Sequence, residues 1–489
     1  MNFLAFPFFA FFIPGVTLAC TPVKTLPEQG LKEENEAVVT VNEAIPPPNI
    51  LLITADDLGK NLSCYGDEVI QTPNIDGLAQ NGLIFNNGYV TQSSSSPSRS
   101  SILTGLYPHA NGHIGLANHG FKINDEKLDN IPAYLNKKGY RNGIIGKLHV
   151  SPASIFPFDY SRQDVHETRD MELVVDRVEE FISLSSEKPF FLYLNYFDPH
   201  APLLQKVNNR PEKVFEVSDV KPFDYQGVDD VKQLQRIADY YSCVKRLDEG
   251  IGLLLKKIKE LDVLKNTVVI FVGDNGAPFT RGKGACYESS VNVPFLISWP
   301  QKIKVNSKSD ALVSTVDIFP TIIDILGNNI PENIQGRSLL PILNETSESI
   351  RDNLFTEFNY HGKMLDHFFP RRTIRNKQYK LILNLAANYI PNGLTGVDGD
   401  TSFNMSQQSK YNDTWVQKVY NRLKSPPEIE FFDLINDPFE KNNLSEKTEY
   451  KEIIAEMKKQ LEDWMTATND PYNSEEVILN EIESLKENQ

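Results

Sequence analysis

Residues 49–57 read NILLITADD. A short apolar run, bounded by Pro46-Pro47-Pro48 before it and Asp56-Asp57 after it, fits a strand buried on both faces. Similar runs recur at 142–146 (NGIIG), 189–197 (PFFLYLNYF), 267–274 (TVVIFVGD) and 293–299 (VPFLISW). Between them lie helical patterns, TPNIDGLAQNG at 72–82 and DYYSCVKRLDEGIGLLLKKIKEL at 239–261, the latter with apolar residues at three- and four-residue spacing. Strands alternating with helices predict an α/β fold, a mixed, mostly parallel sheet flanked by helices.

From about residue 350 the pattern changes. PRRTIRNKQYKLILNL (370–385) and IEFFDLINDPFEKNNL (429–444) read as antiparallel strands and turns, and EIIAEMKKQLEDWM (452–465) as a closing helix. The expected division is a catalytic domain over 48–348 and a smaller C-terminal α+β subdomain over 349–489. The polar tail after Asp470 is expected to fray.

The chain has 489 residues, 40% of them hydrophobic and 23% charged, with a net charge of -16. That is globular composition. So acidic a chain is a poor general binder of nucleic acid, which requires basic surface. A local cationic pocket for an anion remains compatible with it. Residues 1–20 are almost wholly apolar but short and broken by Pro and Gly, so they read as a secretory signal rather than a membrane span. TLAC at 17–20 resembles a lipobox with Cys20 as the lipidated residue; the alternative is cleavage near Ala19 and a free secreted protein. Residues 21–47 read as a tether. The expected location is export, either periplasmic, on the cell surface as a lipoprotein, or secreted, with membrane contact only through the lipid. The four cysteines (Cys20, Cys64, Cys243, Cys286) leave at most one disulfide if Cys20 carries lipid.

Open α/β sheets place chemistry beyond the carboxyl ends of their strands. Here those ends deliver Asp56-Asp57, then Lys147-Leu148-His149, then Asp198-Pro199-His200, then Asp274-Asn275-Gly276. Asp56, Asp57, Asp274 and Asn275 are hard oxygen donors of the kind that suit calcium or magnesium. Lys147, His149, His200 and Lys283 add positive charge and proton donors. Cations beside a divalent metal favour transfer of an anionic group.

The stretch SSSSPSRSSILTG (93–105) completes the set. Ser96 reads as an N-cap, Pro97 as first-turn proline, and Gly105 as the stop of a helix ending near Thr104. Ser95 would then lie just outside a helix N-terminus, where unpaired N–H groups attract negative charge. Arg99 is placed to reach back toward it. The run reads as an anion-binding nucleophile turn.

These residues resemble the sulfatase family. Ser95, Pro97, Ser98, Arg99, Thr104 and Gly105 match its first signature, and Gly139, Tyr140, Gly146, Lys147 and His149 match its second; Asn142 departs where Ser or Thr is usual. The likeness covers roughly residues 49–470 and implies an alkaline-phosphatase-like fold. It further implies that Ser95 is oxidised to formylglycine (3-oxoalanine) by a radical-type maturase, since the position is Ser and not Cys. The hydrated aldehyde would attack sulfur and then release sulfate, which a plain serine sulfate cannot do. One Ca2+ would be held by Asp56, Asp57, Asp274, Asn275 and the modified Ser95. Arg99 and Lys147 would hold the nucleophile, His149 would be the base releasing sulfate, and His200 and Lys283 would bind sulfate and protonate the leaving group.

GLYPHANGHIGL (105–116), FFLYLNYFDPH (190–200) and WMTATNDPY (464–472) also resemble heparan N-sulfatases, although Lys283 stands where those carry arginine. The implied substrate is a sulfated glycan, an algal polysaccharide such as ulvan or a glycosaminoglycan, with N-sulfoglucosamine as an alternative. His109, His113, His119, His361, Arg371 and Arg372 are candidate substrate contacts. Two rival readings are a phosphatase or phosphonate monoester hydrolase of the same superfold and a catalytically silent glycan-binding protein.

Overall fold

In the computed structural model, NILLITA becomes strand β1 (Asn49–Ala55) at the middle of an eight-stranded sheet. The others are β2 (Leu83–Tyr89), β3 (Arg141–Gly146), β4 (Tyr160–Arg162), β5 (Phe190–Tyr196), β6 (Thr267–Gly273), β7 (Phe295–Ser298) and β8 (Ser307–Ser314). The order is β4-β3-β5-β1-β6-β7-β2-β8. All neighbours pair in parallel except at β7, which runs antiparallel to both β6 and β2. The structure describes residues 10, 15, 46–165, 167–185, 188–300, 302–397 and 401–487. Cys20 and nearly all of the expected signal segment and tether lie outside the described residues.

Each central strand is apolar on both sides because both faces of the sheet are covered. Leu51, Ile53 and Ala55 join a core with helices α1 (Pro73–Gln80), α4 (Met171–Leu184) and α5 (Val231–Glu260). The alternate residues Ile50 and Leu52 join the opposite core, with α2 (Ser95–Thr104), α3 (Ile131–Lys137) and α6 (Ile318–Ile325).

Register sets the strand ends flush. Ala55 pairs with Tyr196 of β5 and Gly273 of β6, and Gly146 pairs with Asn195. Asp56, Asp274 and Lys147 therefore leave the sheet side by side. Gly146 has φ 83, and a Cβ there would lie 2.1 Å from the Asn195 carbonyl oxygen, so the close approach requires glycine.

The C-terminal strands are β9 (Leu354–Tyr360), β10 (Phe368–Arg375), β11 (Tyr379–Asn384) and β12 (Ile429–Asp433), an antiparallel sheet in the order β12-β11-β10-β9. Helix α7 (Lys451–Ala467) buries Ile454, Met457, Leu461 and Met465 against it. Both sheets fall within one compact unit, Pro46–Gln489. Contrary to expectation, the described chain after Asp470 is ordered as helix rather than frayed. Residues Glu475–Glu487 form α8, whose Ile478, Ile482 and Leu485 follow helical spacing and pack on Tyr360, Phe368 and Phe369. The three described cysteines, Cys64, Cys243 and Cys286, are free thiols. Among the described residues no helix is long and apolar enough to cross a membrane.

Candidate active site

Helix α2 begins two residues earlier than its sequence suggests. Ser94, in extended backbone, is the N-cap rather than Ser96, and Ser95 opens the helix. The Ser94 carbonyl accepts the Ser98 N–H at 3.1 Å. Pro97 fits because first-turn N–H groups have no helical partner to lose. The Ser94 side chain makes no capping bond. Gly105 ends the helix at φ 68, as expected. Ser95 is only 2% exposed.

The Ser95 hydroxyl faces two strand ends, donating to Asp56 Oδ1 at 3.1 Å and lying 3.4 Å from Asn275 Oδ1. Asp57 lies beside them with φ 64, its N–H donating to Asp274 Oδ1 at 2.9 Å. Asn275 Nδ2 donates to Asp57 Oδ1 at 2.7 Å. Arg99, one turn into α2, is held by the strand ends, with Nη2 3.8 Å from the Asp56 carboxylate that Ser95 also meets. Its Nε donates to Asp274 Oδ2 at 2.9 Å and its Nη1 to Asn195 Oδ1 at 2.6 Å and the Lys147 carbonyl at 2.9 Å. Lys147 Nζ donates to Asp56 Oδ2 at 2.5 Å, and Lys283 pairs with Asp57. His200 Nε2 stands 3.8 Å from Asp57 Oδ2.

The electrostatics follow from this crowding. Burial works to raise the Asp56 and Asp57 carboxyls. For Asp56 it is outweighed by Lys147, His200, Arg99 and Lys283, which hold it well below the usual carboxylate range. Lys283 and His200 outweigh it for Asp57. Asp274 goes the other way, pushed up to about 6 by burial and by its neighbour Asp56 against the pull of Arg99. The three carboxylates are matched by the cations of Arg99, Lys147 and Lys283, so this buried group is electrically closed. Adding a dication would leave the pocket at +2, the complement of a doubly charged oxyanion such as sulfate. The donor chemistry fits a hard dication: buried carboxylates and one amide oxygen converge, and Asp56, Asp57 and His200 bring ligand atoms within 4.8 Å of one another.

His149 stands at the mouth with φ 51. Its Nε2 is 3.3 Å from Asn118 Oδ1, and its Nδ1 is buried without a hydrogen-bond partner. Burial and then Lys147 push it down to about 2, so the ring is neutral. His361 also borders the site, its Nδ1 3.4 Å from the Ser94 hydroxyl. Burial, Lys283 and His367 push it down to about 3. His119 is exposed in the turn Ala117–His119, which the Ser96 hydroxyl ties to α2 through the Ala117 N–H at 3.0 Å.

Four candidate substrate contacts differ from expectation, because each is buried and spent on the protein itself. His109 Nδ1 is hydrogen-bonded to the Glu357 carboxylate, and the ring lies edge-on to Trp464 at 5.2 Å. His113 accepts the Ser151 N–H at 3.2 Å, bracing the loop that carries His149. Arg372 pairs with Asp470, which ties β10 to the turn before α8. Arg371 donates to the Gly393 carbonyl at 2.7 Å and reaches the Gly284 carbonyl at 3.4 Å. Gly284 is a junction: its N–H donates to the Ser93 carbonyl at 3.0 Å, and Thr395 Oγ1 donates to its carbonyl at 3.1 Å. The C-terminal chain thus pins the residue after Lys283 to the turn before Ser95. With φ 69 and the Thr395 Oγ1 only 2.5 Å from where a Cβ would stand, that position requires glycine.

Sequence reasoning missed Asn195, which accepts from both Arg99 and Thr54, the latter at 2.5 Å. Its place at the end of β5 was the available signal. It also missed Asn118 and His367, which sit in turns without a recognisable pattern.

The Sulfatase family model matches residues 48–328. A second model, "N-sulphoglucosamine sulphohydrolase, C-terminal", matches residues 281–425. The chain is 30% identical to N-sulphoglucosamine sulphohydrolase of Homo sapiens, over 87% of this chain and 91% of that one. It is 29% identical to an ulvan-active sulfatase of Formosa agariphila, over 93% and 86% of the two chains. A solved protein in complex with its substrate D-glucosamine-2-N,6-O-disulfate shares the fold, with a TM-score of 0.65 at 23% identity, covering 87% of this chain and 98% of that one. This chain belongs to the sulfatase family and is a sulfuric ester hydrolase.

Proposed function

We propose that this chain removes sulfate groups from a sulfated carbohydrate, with Ser95 as the nucleophile position. The observation that carries the reading is the meeting of Ser95 Oγ with Asp56 and Asn275 beneath Arg99, Lys147 and Lys283. The relatives named for N-sulphoglucosamine and for ulvan supply the substrate class. Sulfatases use formylglycine and a metal ion. Here Ser95 would carry the formylglycine, made by a radical-type maturase. Asp56, Asp57, Asp274 and Asn275, with the modified Ser95, would hold the ion, proposed to be Ca2+ because every donor is a hard oxygen. The oxidised side chain supplies a nucleophilic oxygen that can be regenerated, and the dication supplies charge for the sulfate oxygens.

The chain's own residues do the rest. Arg99, locked by Asp274 and Asn195, fixes the nucleophile turn against the strand ends. Lys147 and Lys283 neutralise the sulfate as charge builds on it. His200, partly exposed beside Asp57, delivers a proton to the leaving oxygen. His149, neutral and with Nδ1 unengaged, takes up the proton that frees sulfate. His119 and His361 face the sugar. Export and a lipid on Cys20 complete the proposal, with the enzyme placed where polysaccharide is met.

The test uses protein made in a host that supplies the maturase. The peptide containing Ser95 is expected to be two hydrogen masses light. The protein is expected to bind one calcium, and sulfate is expected to appear in a screen of heparan, ulvan, carrageenan and chondroitin oligosaccharides. Unmodified Ser95 together with robust phosphate-ester turnover would sink the reading.

A further inference from the structure

His200 lies on a loop that two buried arginines hold in place. Asp198, two residues before it, is fully buried. Arg246 of α5, also fully buried, straddles that carboxylate, with Nε 2.6 Å from Oδ2 and Nη2 2.7 Å from Oδ1. Arg169 joins from the turn before α4, its Nε donating to Asp198 Oδ1 at 2.8 Å. Each arginine also donates to carbonyls of the loop itself. Arg169 Nη2 donates to the His200 carbonyl at 2.6 Å and the Pro202 carbonyl at 2.8 Å. Arg246 Nη1 donates to the Leu204 carbonyl at 2.7 Å. The His200 ring rests against Phe197 with centroids 4.9 Å apart, and the Arg169 guanidinium lies over the Phe197 ring at 4.4 Å.

Two guanidinium groups gathered on one buried carboxylate are a poor way to gain stability, since desolvation of three ions offsets most of their attraction. What the arrangement does supply is geometry. The planar forks fix carbonyl positions along the loop, and one of those carbonyls belongs to His200. We infer that Asp198, Arg169 and Arg246 are positioning residues that aim the His200 imidazole at the leaving oxygen. Their influence on turnover passes through that ring. The inference rests on the proposed role of His200 in sulfate release.

Proton delivery matters in proportion to the basicity of the leaving group. A sugar hydroxyl needs it, whereas a nitrophenolate leaves without help. Arg169→Lys keeps a cation beside Asp198 but cannot reach Asp198 and both carbonyls at once. It is expected to lower kcat/KM on the sulfated oligosaccharide by roughly 10- to 100-fold, a part of the general-acid contribution. On 4-nitrophenyl sulfate the change is expected to stay below about threefold, since little of that contribution applies. In a His200→Ala background the same substitution is expected to add almost nothing on either substrate, because residues acting as a unit are non-additive. Equal losses on both substrates, or an undiminished loss without His200, would overturn the inference. Should Arg169→Lys fail to fold, Phe197→Leu leaves the ion pairs and removes the ring under the imidazole, with the same selective loss expected. Wild-type protein inactive on both sulfates would refute the proposed function instead, so the two failures are distinguishable.

Discussion

Gly146→Ala tests how tightly the strand register is bound to the chemistry. Gly146 ends β3 at φ 83, and a methyl group there would meet the Asn195 carbonyl oxygen at 2.1 Å. Carbon–oxygen contacts between strands normally lie near 3.3–3.6 Å, so β3 and β5 would have to part by about 1 Å. Left-handed backbone costs an alanine about 1–2 kcal/mol. Overpacking adds about 1–3 kcal/mol. The expected loss of stability is therefore about 2–5 kcal/mol. Gly139 provides the control: its φ is also 83, but nothing lies within 4 Å of its missing Cβ, so Gly139→Ala is expected to show the backbone cost alone. Denaturant melts of both variants read the difference. Activity is expected to fall further than stability, because Asn195 holds Arg99 and Lys147 follows Gly146 directly. A misplacement of 1 Å at such groups costs on the order of 100-fold in rate. If Gly146→Ala melts no earlier than Gly139→Ala and keeps full turnover, the argument from register is wrong.

Two further outcomes are expected. Ile482→Ala in α8 should destabilise the protein by about 2–5 kcal/mol in thermal melts and expose the C-terminus to protease, because Ile482 is buried among Tyr360, Phe368 and Phe369; a tail that frayed would show neither. His113 is held down to about 4 by burial, against 6.5 in an open chain, so the unfolded state binds the extra proton between those values. Stability must then fall as pH drops from 6.5 to 4, His113 contributing about 3 kcal/mol of that loss, and His113→Gln should flatten the stability profile in that window alone.

Much of this was legible from residue type and order. The apolar runs ending in Asp56-Asp57, Lys147 and Asp274-Asn275 announced both the parallel sheet and its rim, because a strand buried on both faces leaves no ambiguity of period. Less regular parts escaped. Strands β2 and β8 mix polar residues into their runs, as LIFNNGY and SKSDALVS show, and carry little signal. Helix α8 hid behind its acidic residues, since only three apolar positions, four and three residues apart, face inward. His109, His113, Arg371 and Arg372 looked like ligand contacts because type alone cannot tell a free polar side chain from one already partnered. Their partners lie far along the chain, at Glu357, Ser151, Gly284 and Asp470, and only the fold brings them together.

The depth at which Ser95 sits has a consequence for the protein's biosynthesis. The loop around Lys283 and the segment at Thr395 close over the serine turn through Gly284, and Thr395 is made 300 residues after Ser95. At ribosomal speeds of about 5–20 residues per second, that leaves an interval of roughly 15–60 seconds. During it the hydroxyl is open to any visiting catalyst, and the interval is longer for a chain kept unfolded until it crosses a membrane. Once the last third has docked, a catalyst that needs the serine turn as an extended peptide no longer finds it, so the modification proposed for Ser95 belongs to that interval.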